Sequence, residues 1–435
     1  MRKTEILTVE RPAIGEAYYD IRHRSGLRVL VYPKEGFQST YAVMGTRYGS
    51  IDQTFQRSDE ETTCTVPAGI AHYLEHKLFE SEDGDAFARF AKTGASANAY
   101  TSFDSTCYLF SCTGQVKENL AILLDFVQHP YFTDQTVQKE QGIIGQEIRM
   151  YEDDPQWRLL FNLLGAMYRY HPVKEDIAGS IDSIAQITPD LLYRCYHTFY
   201  NLHNMVLAVA GNIRVETVLA VCDQYCQPGE EQSVHRVFRE EPAGVSRHFV
   251  EQTLPVSMPL FELGIKQEMG PMEESDTKTE AAMEVLLEIL SSDASPLFRK
   301  LLDEGLINES TFGAERFEGS GYASVLFSGE SRDPKRAASE ILQAIAVLKE
   351  KGIDEEEFRR AKKAVYGRNI SGLNSAEGIA NGLVAMTLSG RELFSYFDAL
   401  VALTQEDVTQ CLRCCLIKNQ EVLSVIWPQE PEQEQ

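Results

Sequence analysis

No run of apolar residues in this 435-residue chain approaches the ~20 that a membrane-spanning helix needs. At the start, MRKTEILTVERPAIGEAYYD is broken by acids and a proline before any apolar stretch reaches the roughly 7 residues of a minimal export signal. Neither anchor nor signal is expected, and the chain reads as cytoplasmic. Positive charge is also scarce. Lys and Arg total 41 against 65 Asp and Glu, a formal net charge of −24. Such a surface repels phosphate backbones and anionic lipid, so no nucleic-acid and no membrane partner is expected, whereas cationic peptides would be favoured. The nine cysteines are odd in number and scattered, which excludes a disulfide framework and leaves reduced thiols as the expectation. Neither Cys222 with Cys226 nor the trio Cys411, Cys414 and Cys415 has the paired second half that a structural metal site requires.

What is present is enough apolar sequence, 43 %, to fold, in a chain too long for one core. Stretches 27–45 and 95–112 carry β-branched and aromatic residues in partial alternation and read as strands. Apolar residues three and four apart mark helices over 68–80, 117–128, 134–151 and 189–200. The polar stretch 227–244, with Pro and Gly near both ends, is the expected linker. It separates a domain over 1–226 from a second over 245–428, with a disordered acidic tail at 429–435.

The second domain repeats the order of the first. HYLEHKLFE at 72–80 aligns with SPLFRKLLDE at 295–304, and 132–147 with 353–368. The fold class expected is α+β: two homologous mixed units, each a mainly antiparallel sheet with helices packed on one face. The alignment sets Ser295, Phe298, Arg299 and Arg368 opposite His72, Glu75, His76 and Glu147. None of these four is a neutral or anionic zinc ligand there, so only the first copy keeps the chemistry.

His72 and His76 stand i and i+4 on a helix, one turn apart on one face, and both imidazoles can converge on one ion. A catalytic zinc site takes three protein ligands and keeps one place open for water. Glu75, beside His76 and one turn from His72, is placed to reach that water rather than the ion, which is the position of a general base. H-x-x-E-H is the inverted order of the H-E-x-x-H zinc-peptidase motif. The helix around it is apolar (Ile70, Ala71, Leu74, Leu78, Phe79), so these polar groups cost free energy there unless paired or metal-bound.

With H72-Y-L-E-H76 and the helix E140-QGIIGQ-E147, the chain resembles the pitrilysin or insulinase family of zinc metallopeptidases, in a short two-domain bacterial branch. The resemblance implies Glu147 as the third ligand to a single zinc ion and Glu140 as a supporting residue that hydrogen-bonds a ligand. It further implies that NAYTSFDSTCYLFS contains an edge strand on which a peptide substrate lies as an added strand, with Asn98 and Ala99 along the scissile bond. Chains of this length make half of a clamshell. A second subunit is therefore implied, either an identical chain or a paralogue lacking the zinc motif. The Arg and Tyr that the second half supplies to an opposing site match Arg316 and Tyr322. The function expected is a zinc-dependent endopeptidase acting on peptides or unfolded segments in a closed chamber. The alternative is a non-catalytic scaffold or assembly subunit of the same fold.

Overall fold

The computed structural model describes residues 3–82, 84–270 and 276–429. Most of the tail expected at 429–435 lies outside the described residues; Gln429 donates its backbone N–H to Leu254. The chain divides into two compact units. The first comprises 1–146, 176–237 and 369–394, the second 147–175, 238–368 and 395–435.

The first unit is built on a seven-stranded sheet in the order Glu5–Arg11, Glu16–Arg22, Arg28–Pro33, Met205–Gly211, Thr40–Thr46, Thr106–Cys112 and Ser96–Thr101. All its pairs are antiparallel except Arg28–Pro33 with Met205–Gly211. The second is built on five strands in the order Phe249–Leu254, Glu421–Pro428, Leu260–Lys266, Tyr322–Glu330 and Gly313–Gly319. There too a single pair is parallel, Phe249–Leu254 with Glu421–Pro428. The five strands of the second sheet match, place for place and direction for direction, the last five of the first. This is the duplication expected, and it shows in topology more clearly than in sequence.

The units depart from a contiguous division in one respect: each half of the chain lends a helix to the other. The central strands Thr40–Thr46 and Met205–Gly211 are buried at every position, the burial pattern of strands covered on both faces. On one face Tyr108 lies among Phe79, Phe126 and Tyr200, from helices of the same half. On the other, a β-carbon at Gly45 would lie 2.7 Å from Val384, on the late helix Ala376–Leu388. In the second unit the early helix Pro155–Met167 plays this part: a β-carbon at Gly264 would lie 2.4 Å from Met167. The changeovers fall at Gln146/Glu147 and Arg368/Asn369, nearly the same place in the two copies, inside the long helices Asp134–Asp153 and Glu355–Gly372.

The stretch 227–244 is more ordered than its polar composition implies. Val234–Arg236 pairs antiparallel with Thr54–Arg57, and buried Arg236 meets buried Asp52 at 2.6 Å. Further on, Glu241 accepts the backbone N–H groups of Arg169, Tyr170 and His171 and pairs with Lys266 at 2.8 Å. Burial alone would raise the Glu241 carboxyl; those backbone donors and Lys266 outweigh it and hold the group below the usual range. Buried charge persists where it is paired and hydrogen-bonded in this way.

Candidate metal centre

The helix Ile70–Leu78 buries Ile70, Ala71, Tyr73, Leu74 and Leu78 against the sheet, the i, i+4, i+8 stripe legible in the sequence. It carries His72 and Glu75 into the same shelter, at 7 % and 8 % exposure. Its start is unusual. Gly69 has φ 89° and offers no side-chain cap, and a β-carbon there would sit 2.4 Å from the carbonyl oxygen of Ala178. Gly179, φ +76°, approaches Ala68 as closely from the other side, and Ser183 Oγ donates to the Ala68 carbonyl at 2.9 Å. Only glycine permits both the left-handed backbone and this approach. The segment containing IAGSIDSI thus locks the N-terminus of the motif helix.

The helix Asp134–Asp153 packs alongside. Val137, Ile144 and Ile148 are its buried stripe, and Glu140 and Glu147 lie two turns apart on one side of it. Two contacts clamp the helices together: the Tyr73 hydroxyl donates to the Val137 carbonyl, and His76 Nδ1 meets Glu140 Oε1 at 3.0 Å. Burial alone would raise the Glu140 carboxyl, but the hydrogen bond and charge of His76 prevail, helped by Lys77 and Lys139, and hold it low. An ionised carboxylate on Nδ1 fixes the ring's tautomer and orientation.

The rings of His72 and His76 stand 4.6 Å apart between centroids. His72, His76 and Glu147 each present one ligand atom, and these atoms lie within 4.8 Å of one another. Among the described residues no other set of three or more His, Cys, Asp or Glu donors is gathered in this way. The boundary between the units falls one residue before Glu147, inside an unbroken helix, so the helix itself carries Glu147 to the imidazoles. Zinc bonds of ~2.0–2.2 Å place tetrahedral donors roughly 3.4 Å apart, so donors within 4.8 Å of one another would have to draw closer to share such an ion. Two nitrogens and a carboxylate also suit zinc chemically.

Two further side chains orient the set. Thr101 Oγ1 donates to Glu75 Oε2 at 2.7 Å, and the Tyr151 hydroxyl donates to Glu147 Oε1 at 2.7 Å, its ring stacked on Trp157. Thr101 ends the edge strand Ser96–Thr101, whose outer side has no partner strand among the described residues.

Comparison with known proteins places this arrangement. Residues 64–180 match the family model of insulinase (peptidase family M16), and 186–365 match that of the M16 inactive domain. A zinc protease of Bacillus subtilis, the uncharacterized YmfH, is 40 % identical over 94 % of this chain and 96 % of its own. The chain belongs to the M16 peptidase family. Another B. subtilis relative, the uncharacterized zinc protease YmxG, is 26 % identical over 71 % of this chain and 75 % of its own. The crystal structure of a putative M16-like peptidase from Alicyclobacillus acidocaldarius superposes with TM-score 0.90 at 34 % identity, covering 99 % of both chains. Pitrilysin, at 15 % identity and TM-score 0.76, matches 99 % of this chain with 47 % of its own. The fold is therefore half of the pitrilysin architecture, as expected.

Within this M16 frame, His72, Glu75, His76, Glu140 and Glu147 come together. Asn98 and Ala99 lie on the edge strand and line, with Glu75 and His76, a cavity of about 660 Å³. Arg316 and Tyr322 stand elsewhere, inside the second unit. Arg316 pairs with Glu318 at 2.9 Å. Tyr322 is 2 % exposed, its ring beside His171 and Phe317. Thr101, Tyr151 and the Gly69/Gly179 contact went unread in the sequence; only Tyr151, four residues after Glu147, left a positional trace. No helix among the described residues is long and apolar enough to cross a membrane.

Proposed function

We propose that this chain is a zinc-dependent endopeptidase. The observation that carries the reading is the convergence of His72, His76 and Glu147, from two helices clamped by Tyr73 and Glu140, with Glu75 beside them. His72, His76 and Glu147 would hold the ion. Bound zinc supplies polarisation of the scissile carbonyl and acidification of water. Glu75 takes the proton of the attacking water and returns it to the leaving amine; Thr101, by holding Oε2, fixes the carboxylate's direction. Extended substrate adds to the open edge of Ser96–Thr101 by backbone hydrogen bonds, which demand little of its sequence, passing Asn98 and Ala99. Because the chain corresponds to about half of pitrilysin, a second subunit, identical or a motif-lacking paralogue, closes the chamber. Arg316 and Tyr322, both largely buried in the second unit, would have to be uncovered on such assembly to reach the opposing site.

The scaffold alternative needs none of this chemistry, and one substitution separates the two. Glu75→Gln in the purified, zinc-loaded protein, with any co-purifying partner, is expected to keep the metal and lower peptide turnover by about 10²- to 10⁴-fold. Undiminished turnover would refute the assignment of Glu75.

A further inference from the structure

The cavity beside Glu75 is not a neutral slot. One wall is aromatic: Phe79 and Phe87 stack with centroids 4.1 Å apart, and although Phe79 is buried, Phe87 is 43 % exposed. Ile143, 46 % exposed, continues this apolar surface. An apolar ring left facing a cavity, next to a catalytic glutamate, marks a surface a ligand covers. The rest of the lining is acidic. Besides Glu75 and Glu140 it contains Glu80, Glu82 and Asp85, against one lysine, Lys139. These carboxylates are engaged to different degrees. Glu80 is paired with the fully buried Lys77, Glu140 is bonded to His76, and Lys139 adds its charge to holding Glu140 ionised. Asp85 uses Oδ1 to cap the helix Ala86–Thr93, and a carboxylate retains further acceptor sites after one such bond. Glu82 is exposed on the turn between them.

An aromatic wall with carboxylates at its end fits a side chain that has an apolar stem and a cationic tip: the stem packs on the ring, and the tip meets both the ring face and the acids. We propose that this cavity selects lysine or arginine in the substrate residue flanking the scissile bond, with Phe87 as the platform and Glu82 and Asp85 as the charge readers. The proposal rests on the endopeptidase reading for its placement, and the cavity makes its own prediction about binding.

The test uses zinc-loaded Glu75→Gln protein and labelled ten-residue peptides in which a single lysine is moved stepwise, each with a norleucine counterpart. Two partly solvated carboxylates and one ring face give a lysine advantage of about threefold to tenfold in the register that fills the cavity. The advantage disappears in Glu82→Gln/Asp85→Asn protein, where asparagine preserves the helix cap, and shrinks in roughly 0.5 M salt. Equal affinity in every register, or an advantage that survives the double substitution, overturns the proposal. Cleavage-site mapping with the unsubstituted enzyme separates the two readings. Cuts without enrichment of Lys or Arg next to the bond defeat the cavity assignment and leave the peptidase intact. Lysine-selective binding without any cutting defeats the peptidase and upholds the cavity.

Discussion

The two copies of the motif helix obey different rules. Pro296–Asp303 follows those for stability: Ser295, 0 % exposed, caps it by accepting from Phe298 N–H, and proline opens the first turn. Its polar side chains face outward, Lys300 to Glu340 and Arg299 to solvent. Ile70–Leu78 breaks the same rules, with an uncapped left-handed glycine at its start and a histidine, a glutamate and a lysine buried along its length. Matched topology with opposite local quality indicates that the first helix is held by its surroundings, by Gly179, the Val137 carbonyl and Glu140, in the service of a site. Local rules fail in folded proteins mainly where function needs them to fail.

The treatment of buried carboxylates sharpens the contrast and sets the largest expected effect. In the first unit Glu140 and Glu75 have donors. In the second, Glu262 is buried with no hydrogen-bond partner for Oε2 among the described residues; burial, and then the charge of Glu315, push its carboxyl up to about 8 from 4.5. The folded state therefore holds a proton there that the unfolded state has released, so this contribution is complete below pH 4.5 and is lost as pH rises through 8. Glu262→Gln is expected to be more stable than the parent at pH 8 by as much as ~4 kcal/mol relative to their difference at pH 5, read by urea denaturation at both pH values. A pH-independent gap would contradict the assigned burial.

Next in size is Gly69→Ala, where the positive φ alone costs ~1–3 kcal/mol before the clash with Ala178 is counted. Thermal midpoint and zinc content are expected to fall together. Glu140→Gln, which leaves His76 a neutral partner, lowers zinc affinity by about 10- to 100-fold with little change in melting, measured by competition with a chromophoric chelator. The smallest effect is Ser295→Ala, about 1 kcal/mol for the lost cap, with zinc content unchanged. If Gly69→Ala and Ser295→Ala behave alike, the distinction between the two helices is void.

The same contrast explains what was legible. The H-x-x-E-H spacing and the apolar stripe are local, and the helix they imply is present as Ile70–Leu78, with Ile70, Leu74 and Leu78 buried. The duplication was faint in residues and plain in strand order, because strand pairing tolerates substitutions that erase identity. The exchange of Pro155–Met167 and Ala376–Leu388 between halves left no sign: an amphipathic stripe shows that a helix has a buried face, not which sheet that face meets. Glu147 stands 71 residues beyond His76 and is legible only through the family resemblance; no period in the sequence reports that distance. Thr101 and Gly69 escaped because their roles arise from contacts made only in the fold. The polar stretch 227–244 was read as a tether, yet Arg236 and Glu241 are locked by partners distant in sequence.

The account turns on which atoms hold the metal, and zinc K-edge X-ray absorption of the purified protein reports that directly. The result predicted is a first shell of nitrogen and oxygen at ~2.0–2.2 Å with imidazole outer-shell scattering from two rings, lost in His72→Ala protein. Sulfur at ~2.3 Å, placing the ion on the cysteines of Cys222–Cys226 or Cys411–Cys415, or an unchanged spectrum in His72→Ala protein, would contradict it.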